Sequence, residues 1–159
     1  MPKFQFLSQW LAATLIGFTL LGCAPQSTPD ITVSDGYVRA TFPMAKTAAV
    51  YFTIHNASGV DVRLARVSVD SAVASDAQMH TSEMQNDMMQ MRQIKEGITI
   101  NAHDIVEFMP GGYHVMLIGL ANGLEAGEDV ELTLHFEQHE PIVLILPVKS
   151  SKGEGNHHH

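Results

Sequence analysis

Between Asp30 and Val148 the apolar residues recur at every second position in short runs, and this period of two restricts the chain to strands. Tyr51, Thr53 and His55 alternate with Val50, Phe52 and Ile54. Val60, Val62 and Leu64 share one face, opposite Asp61, Arg63 and Ala65. Val130, Leu132, Leu134 and Phe136 alternate with Glu131, Thr133, His135 and Glu137. The run from Ile142 to Leu146 is apolar throughout, as expected of a strand buried on both faces. Turn chemistry separates the runs at Asn56-Ala57-Ser58-Gly59, Pro110-Gly111-Gly112, Asn122-Gly123 and Ala126-Gly127-Glu128-Asp129. No helical stripe is sustained beyond a short turn near Pro43 to Thr47. Short strands at this spacing predict an all-β, antiparallel sandwich or barrel. The segment has about 120 residues, the size of a single domain with one core.

The two ends read differently. Lys3 is the only early charge, an apolar run follows from Leu11 to Leu21, and Leu20-Leu21-Gly22-Cys23 closes it. A positive start, an apolar run and small residues before a cut make a secretory signal over residues 1–22. The run is well short of the roughly 20 residues of a membrane-spanning helix. Cys23 is the only cysteine, and Leu-Leu-Gly-Cys resembles a bacterial lipobox, in which it becomes the lipidated first residue. Residues 23–30 then read as lipidated cysteine and polar tether, and 31–148 as the domain. Lipidation consumes the only thiol, which excludes a disulfide and thiol chemistry. Export places the chain in an oxidising compartment, the periplasm, held on a membrane by its lipid. Ala24 after the cysteine resembles the outer-membrane sorting signal of Gram-negative lipoproteins. Loss of Lys3 with the signal moves the net charge from −8 to −9, which argues against a nucleic-acid partner. Residues 149–159 form a polar tail ending in His157, His158 and His159, either a loose site for a divalent metal or the remnant of an expression tag.

The chemistry-bearing residues are concentrated in two places. Met79, Met84, Met88, Met89 and Met91 crowd around His80, and Gln85-Asn86-Asp87 has turn chemistry in their midst. This predicts a hairpin with His80 on its first strand and Met91 on its second. A register slip of one residue would turn Met91 to the other face. In Gly112-Tyr113-His114-Val115-Met116-Leu117, His114 and Met116 share a strand face, while Tyr113, Val115 and Leu117 serve the core. Two imidazoles and two thioethers suit copper(I): thioether sulfur is soft and uncharged, and poor for zinc, calcium or magnesium. Cysteine would oxidise in this compartment, whereas His and Met do not form disulfides. The expected ligands are therefore His80, Met91, His114 and Met116. Met84, Met88 and Met89 are accessory candidates on the hairpin. Met44 and Met109 read as packing, and His55, His103, His135 and His139 as surface or satisfied core.

His80, ten residues, Met91, a spacer and His114-Xaa-Met116 together resemble the PCu(A)C copper-chaperone signature. Met91-Arg92, Pro110 to Leu117, Gly119-Leu120, Tyr37-Val38-Arg39-Ala40 and Ala48 to Phe52 extend the likeness across the domain. Twenty-two residues separate Met91 from His114, one more than the motif usually has, a difference a turn can absorb. The resemblance implies a cupredoxin-like fold and a periplasmic copper(I) carrier, not an enzyme. It further implies delivery to the CuA centre of cytochrome c oxidase subunit II, alongside a Sco-type protein. It also likens the histidine tail to extensions that add a copper(II) site. Copper buffering or resistance would use the same four ligands without a dedicated acceptor. A redox enzyme would need a thiolate, a tyrosine cofactor motif or a second metal cluster, none of which the sequence offers. A metal-free structural lipoprotein would use His114 and Met116 for packing only.

Overall fold

In the computed structural model, which describes residues 30–150, the runs separated above become ten strands. They are β1 (Ile31–Arg39), β2 (Thr47–Asn56), β3 (Val62–Val69), β4 (Ala74–Gln85), β5 (Met88–Gln93), β6 (Ile98–Ile100), β7 (Ile105–Phe108), β8 (Tyr113–Leu120), β9 (Asp129–Glu137) and β10 (Ile142–Lys149). Their order is β5-β4-β8-β7-β2-β1-β10-β9-β3-β6, with β8 also paired to β2. Most pairs are antiparallel. The seam between β1 and β10 is parallel, joining Val38 to Val148 and Arg39 to Lys149.

The order is not closed: β5 and β6 end it, so the fold is a sandwich rather than a sealed barrel. Inward residues of both halves form one core, with Val50, Phe52, Ile54, Val115 and Leu117 from one side and Leu64, Val130, Leu132 and Leu134 from the other. Each is essentially inaccessible, and burying one such side chain contributes about 1.5–3 kcal/mol. Phe52 stacks on Phe108 at 4.3 Å, closing the core beneath β7.

Several sequence expectations change. Val143 and Ile145 are 56% and 60% exposed, so β10 is buried on one face only and its apolar run is not a two-sided core strand. Val60 is exposed in the loop before β3 and does not share the buried face of Leu64. Met44 and Met109 are exposed and do not fill the core. Tyr113 is also exposed, because it opens β8 at the rim, whereas Val115 and Leu117 do serve the core. Asn56, which reads as a turn residue, is buried. Its amide donates to the carbonyls of Val60, Ile100 and Asn101 and its oxygen accepts from Ser58, closing that end of the sandwich.

Candidate metal centre

The two clusters meet because β4 is flanked by both of their partner strands. On one side it pairs with β8, with His80 directly opposite His114 and Gln78 opposite Met116. On the other it pairs with β5, with His80 opposite Gln93, Ser82 opposite Met91 and Met84 opposite Met89. Residues opposite one another share a face, and so do residues two apart. Gln78, His80, Ser82 and Met84 therefore share one face with Met89, Met91 and Gln93 and with His114 and Met116. The alternate residues, Ala77, Met79 and Thr81 on β4 and Val115 and Leu117 on β8, are buried. The site lies on the outer face of a wall whose inner face is core.

The hairpin turn fixes this register. Asn86 and Asp87 have φ of 51° and 60°, the pair of positive angles that a two-residue hairpin turn requires and that Asn and Asp tolerate. An ion pair from Arg92 to Glu83, 3.2 Å, crosses the same two strands on the opposite face.

His114 is 5% exposed, and its ring lies 5.8 Å from that of His80, inclined at 36°. Nδ1 of His114 lies 3.0 Å from the Gly112 carbonyl. A carbonyl only accepts, so Nδ1 carries the proton and Nε2 is left with a lone pair, the tautomer a metal needs. At His80, Nε2 lies 3.2 Å from Oε1 of Gln78, and Gln78 in turn donates from Nε2 to the Asp76 carboxylate at 2.7 Å. With Nε2 of His80 donating, its Nδ1 is the bare nitrogen. That atom is buried and, among the described residues, has no hydrogen-bond partner. Burial, then the neighbouring His114, holds the His80 pKa below its ordinary value, so the ring stays neutral.

An unpartnered buried acceptor costs about 1–3 kcal/mol, and a cation placed there would relieve it. The donor set around it is soft and neutral. Among the described residues no three His, Cys, Asp or Glu side chains come together, so a hard-ligand cage is not what this face offers.

His80, His114 and Met116 are brought side by side. Met91 shares their face but stands one step toward the hairpin tip and is 63% exposed. On a flat sheet the Cα atoms of Met91 and Met116 would be about 16 Å apart, two strand spacings across and four residues along. Strand pairing alone therefore does not bring Met91 beside the other three. Gln78, Asp76 and the Gly112 carbonyl are contributors that sequence reasoning missed. Gln78 sits two residues before His80, the spacing of a shared face, and that was the available signal. Met84 and Met89 share the ligand face, whereas Met88, opposite Gln85, is on the other one. The expected lipidation at Cys23, the expected signal over residues 1–22, the tether as far as Pro29 and the tail histidines His157 to His159 lie outside the described residues.

Fold and face together give a small β-sandwich with two histidines and two methionines on the outer face of one wall, and this is the fold of the PCuAC copper domains. The copper-bound PCuAC domain from PmoF2 superposes with a TM-score of 0.62 over 76% of this chain and 93% of its own, at 23% identity. The copper(I) form of DR1885 from Deinococcus radiodurans gives 0.61 over 80% and 83%, at 25% identity. Both neighbours are structures of the copper-loaded form. More specifically, the chain belongs to the lipoprotein family described as "Putative lipoprotein LpqE-like", whose model matches residues 31–148. It is 34% identical over 153 residues to "Putative lipoprotein Lxx21020" of Leifsonia xyli subsp. xyli, covering 90% of this chain and 89% of that one.

Proposed function

We propose that this protein is a lipid-anchored copper(I) carrier of the bacterial cell envelope, binding one ion through His80, Met91, His114 and Met116. The observation that carries the reading is the buried, unpartnered Nδ1 of His80 facing the same side as His114 and Met116. Copper is the cargo. The histidines supply affinity, and the thioethers supply preference for the reduced ion and resistance to oxidation. Because all four donors are neutral, the bound ion keeps its single positive charge, and the Asp76 carboxylate behind Gln78 is the nearest counter-charge along the hydrogen-bonded chain. Release proceeds by ligand exchange, with exposed Met91 the first donor to leave.

Cys23 is the proposed lipidation site, with residues 1–22 the signal, 23–30 the tether and 149–159 the tail. The anchor keeps the carrier in the periplasm, on the outer membrane if the host is Gram-negative. The proposed acceptor is the CuA site of cytochrome c oxidase subunit II, with a Sco-type protein as co-worker, and His157 to His159 form a secondary copper(II) site.

The test is an anaerobic copper(I) titration against a chromogenic chelator, beside a His114→Ala/Met116→Ala variant. One tight equivalent lost in the variant supports the carrier. Binding unchanged in the variant overturns it and favours a structural lipoprotein. Transfer to a metal-free subunit II domain, followed by its CuA absorption, separates delivery from buffering.

A further inference from the structure

The hairpin formed by β4 and β5 carries more thioether than the four-ligand site uses. Met84 lies directly opposite Met89, and Met91 follows two residues after Met89 on the same face. They are 65%, 56% and 63% exposed, so none fills the core. The rest of that face, His80, Ser82 and Gln93, carries no Asp, Glu, Lys or Arg side chain, while Glu83 and Arg92 pair on the other face. Three exposed methionines gathered on one uncharged face, in strands that favour β-branched residues, have no packing reason to be there.

We propose that Met84, Met89 and Met91 form a second copper(I) site, a three-thioether loading site on the hairpin that feeds the four-ligand site. Opposed Cα atoms in such a ladder are about 5 Å apart and next-but-one residues about 7 Å. The three rotatable bonds of methionine allow the sulfurs to converge on one ion across those spans. Three neutral soft donors select a monovalent soft ion over copper(II) or zinc. Without imidazole the site holds copper less tightly than the site below it.

Met91 belongs to both sites and is the diagonal neighbour of His80. An incoming ion bound by three sulfurs exchanges Met84 and Met89 for His80, His114 and Met116 while its bond to Met91 persists. Copper stays in the +1 state throughout, no electron moves, and each departing thioether leaves neutral with no proton to place. Met88 takes no part, because its register position turns it to the other face. The inference rests on the copper reading of the neighbouring site, but a different measurement tests it.

That measurement follows the methionine ε-methyl resonances of the full chain in detergent, labelled with carbon-13, as silver(I) is added as a redox-inert probe of the same charge and softness. In a His80→Ala/His114→Ala variant, one equivalent should shift the Met84, Met89 and Met91 methyls together and leave those of Met88, Met44 and Met109 in place. In the unaltered chain, which guards against misfolding of that variant, the filled four-ligand site holds Met91, so a second, weaker equivalent should shift the Met84 and Met89 methyls as the thioether pair that remains. Met84→Leu/Met89→Leu should abolish the extra equivalent and slow copper(I) loading from a chelated donor about tenfold, leaving the final affinity of the first site unchanged. Static Met84 and Met89 methyls, or a Met88 methyl that moves equally with them, overturn the proposal. Failure of the four-ligand site itself would show instead as a first equivalent insensitive to His80 and His114.

Discussion

Replacing His80 with phenylalanine should make the metal-free protein more stable while abolishing tight copper binding. The native ring holds a buried Nδ1 with no partner among the described residues, a burden of about 1–3 kcal/mol. Phenylalanine removes that nitrogen at nearly the same shape and favours strand geometry. It also removes the hydrogen bond between Nε2 and Gln78, 3.2 Å, with a net value of about 0.5–1.5 kcal/mol. The balance is a gain of about 1 kcal/mol, which for a domain of this size raises Tm by about 4 °C. Chelator-treated wild type and variant, compared by thermal and urea denaturation, give the first half of the result. Copper(I) added to each gives the second: wild type rises with ligand concentration, as any native-state binder requires, and the variant does not. A variant destabilised by more than about 1 kcal/mol would refute the reasoning, since it would mean that Nδ1 is satisfied in the folded protein and was never poised for an ion.

Gln78→Ala should weaken copper(I) binding roughly 10- to 100-fold with little change in Tm, because the ring of His80 loses the contact that orients it; an unchanged chelator-competition constant would show that Gln78 is a bystander. His80 and His135 are both held below the ordinary imidazole pKa of 6.5, each by burial first and then by a neighbouring cation-forming group, His114 and Arg66 respectively. Between that value and the lower folded one, the unfolded chain binds more protons, so stability is present above the window and is lost as pH falls through it. Urea midpoints of the metal-free protein should therefore be lower at about pH 5.5 than at about pH 8, and equal or inverted midpoints would contradict the assignment. Gly97→Ala should destabilise by about 1–3 kcal/mol, since its φ is +82° and a Cβ would lie 2.7 Å from the Leu64 carbonyl oxygen; urea denaturation measures it.

The candidate site was legible in the sequence where chemistry and period coincide. His114 and Met116 lie two apart on a strand, and Asn86-Asp87 mark a tight turn, so both groupings and the hairpin between His80 and Met91 could be read before any coordinates. The pairing of His80 with His114 could not, because it depends on β8 returning beside β4 across more than thirty intervening residues. The outer face of β10 misled for a related reason: Val143 and Ile145 look like core because hydrophobicity carries no record of which face is covered. Asn56 misled in the opposite sense, since its turn chemistry is real but is spent on buried backbone carbonyls. The parallel seam between β1 and β10 left no local trace, as it joins the two ends of the domain. Met44 and Met109 were assigned to packing by their type, which says nothing about exposure.

The hairpin runs past the edge of the core, with every residue from Glu83 to Arg92 exposed, while His80, His114 and Met116 stand on strands whose other faces are sealed. Anchoring residues and handling residues thus answer to different constraints. A substitution under His114 must be reconciled with the packing of Val115 and Leu117, whereas one at Met84, Met89 or Met91 touches little that folding depends on. On the copper reading proposed above, the ease of metal uptake and release can therefore drift along the hairpin without the sandwich having to be rebuilt each time.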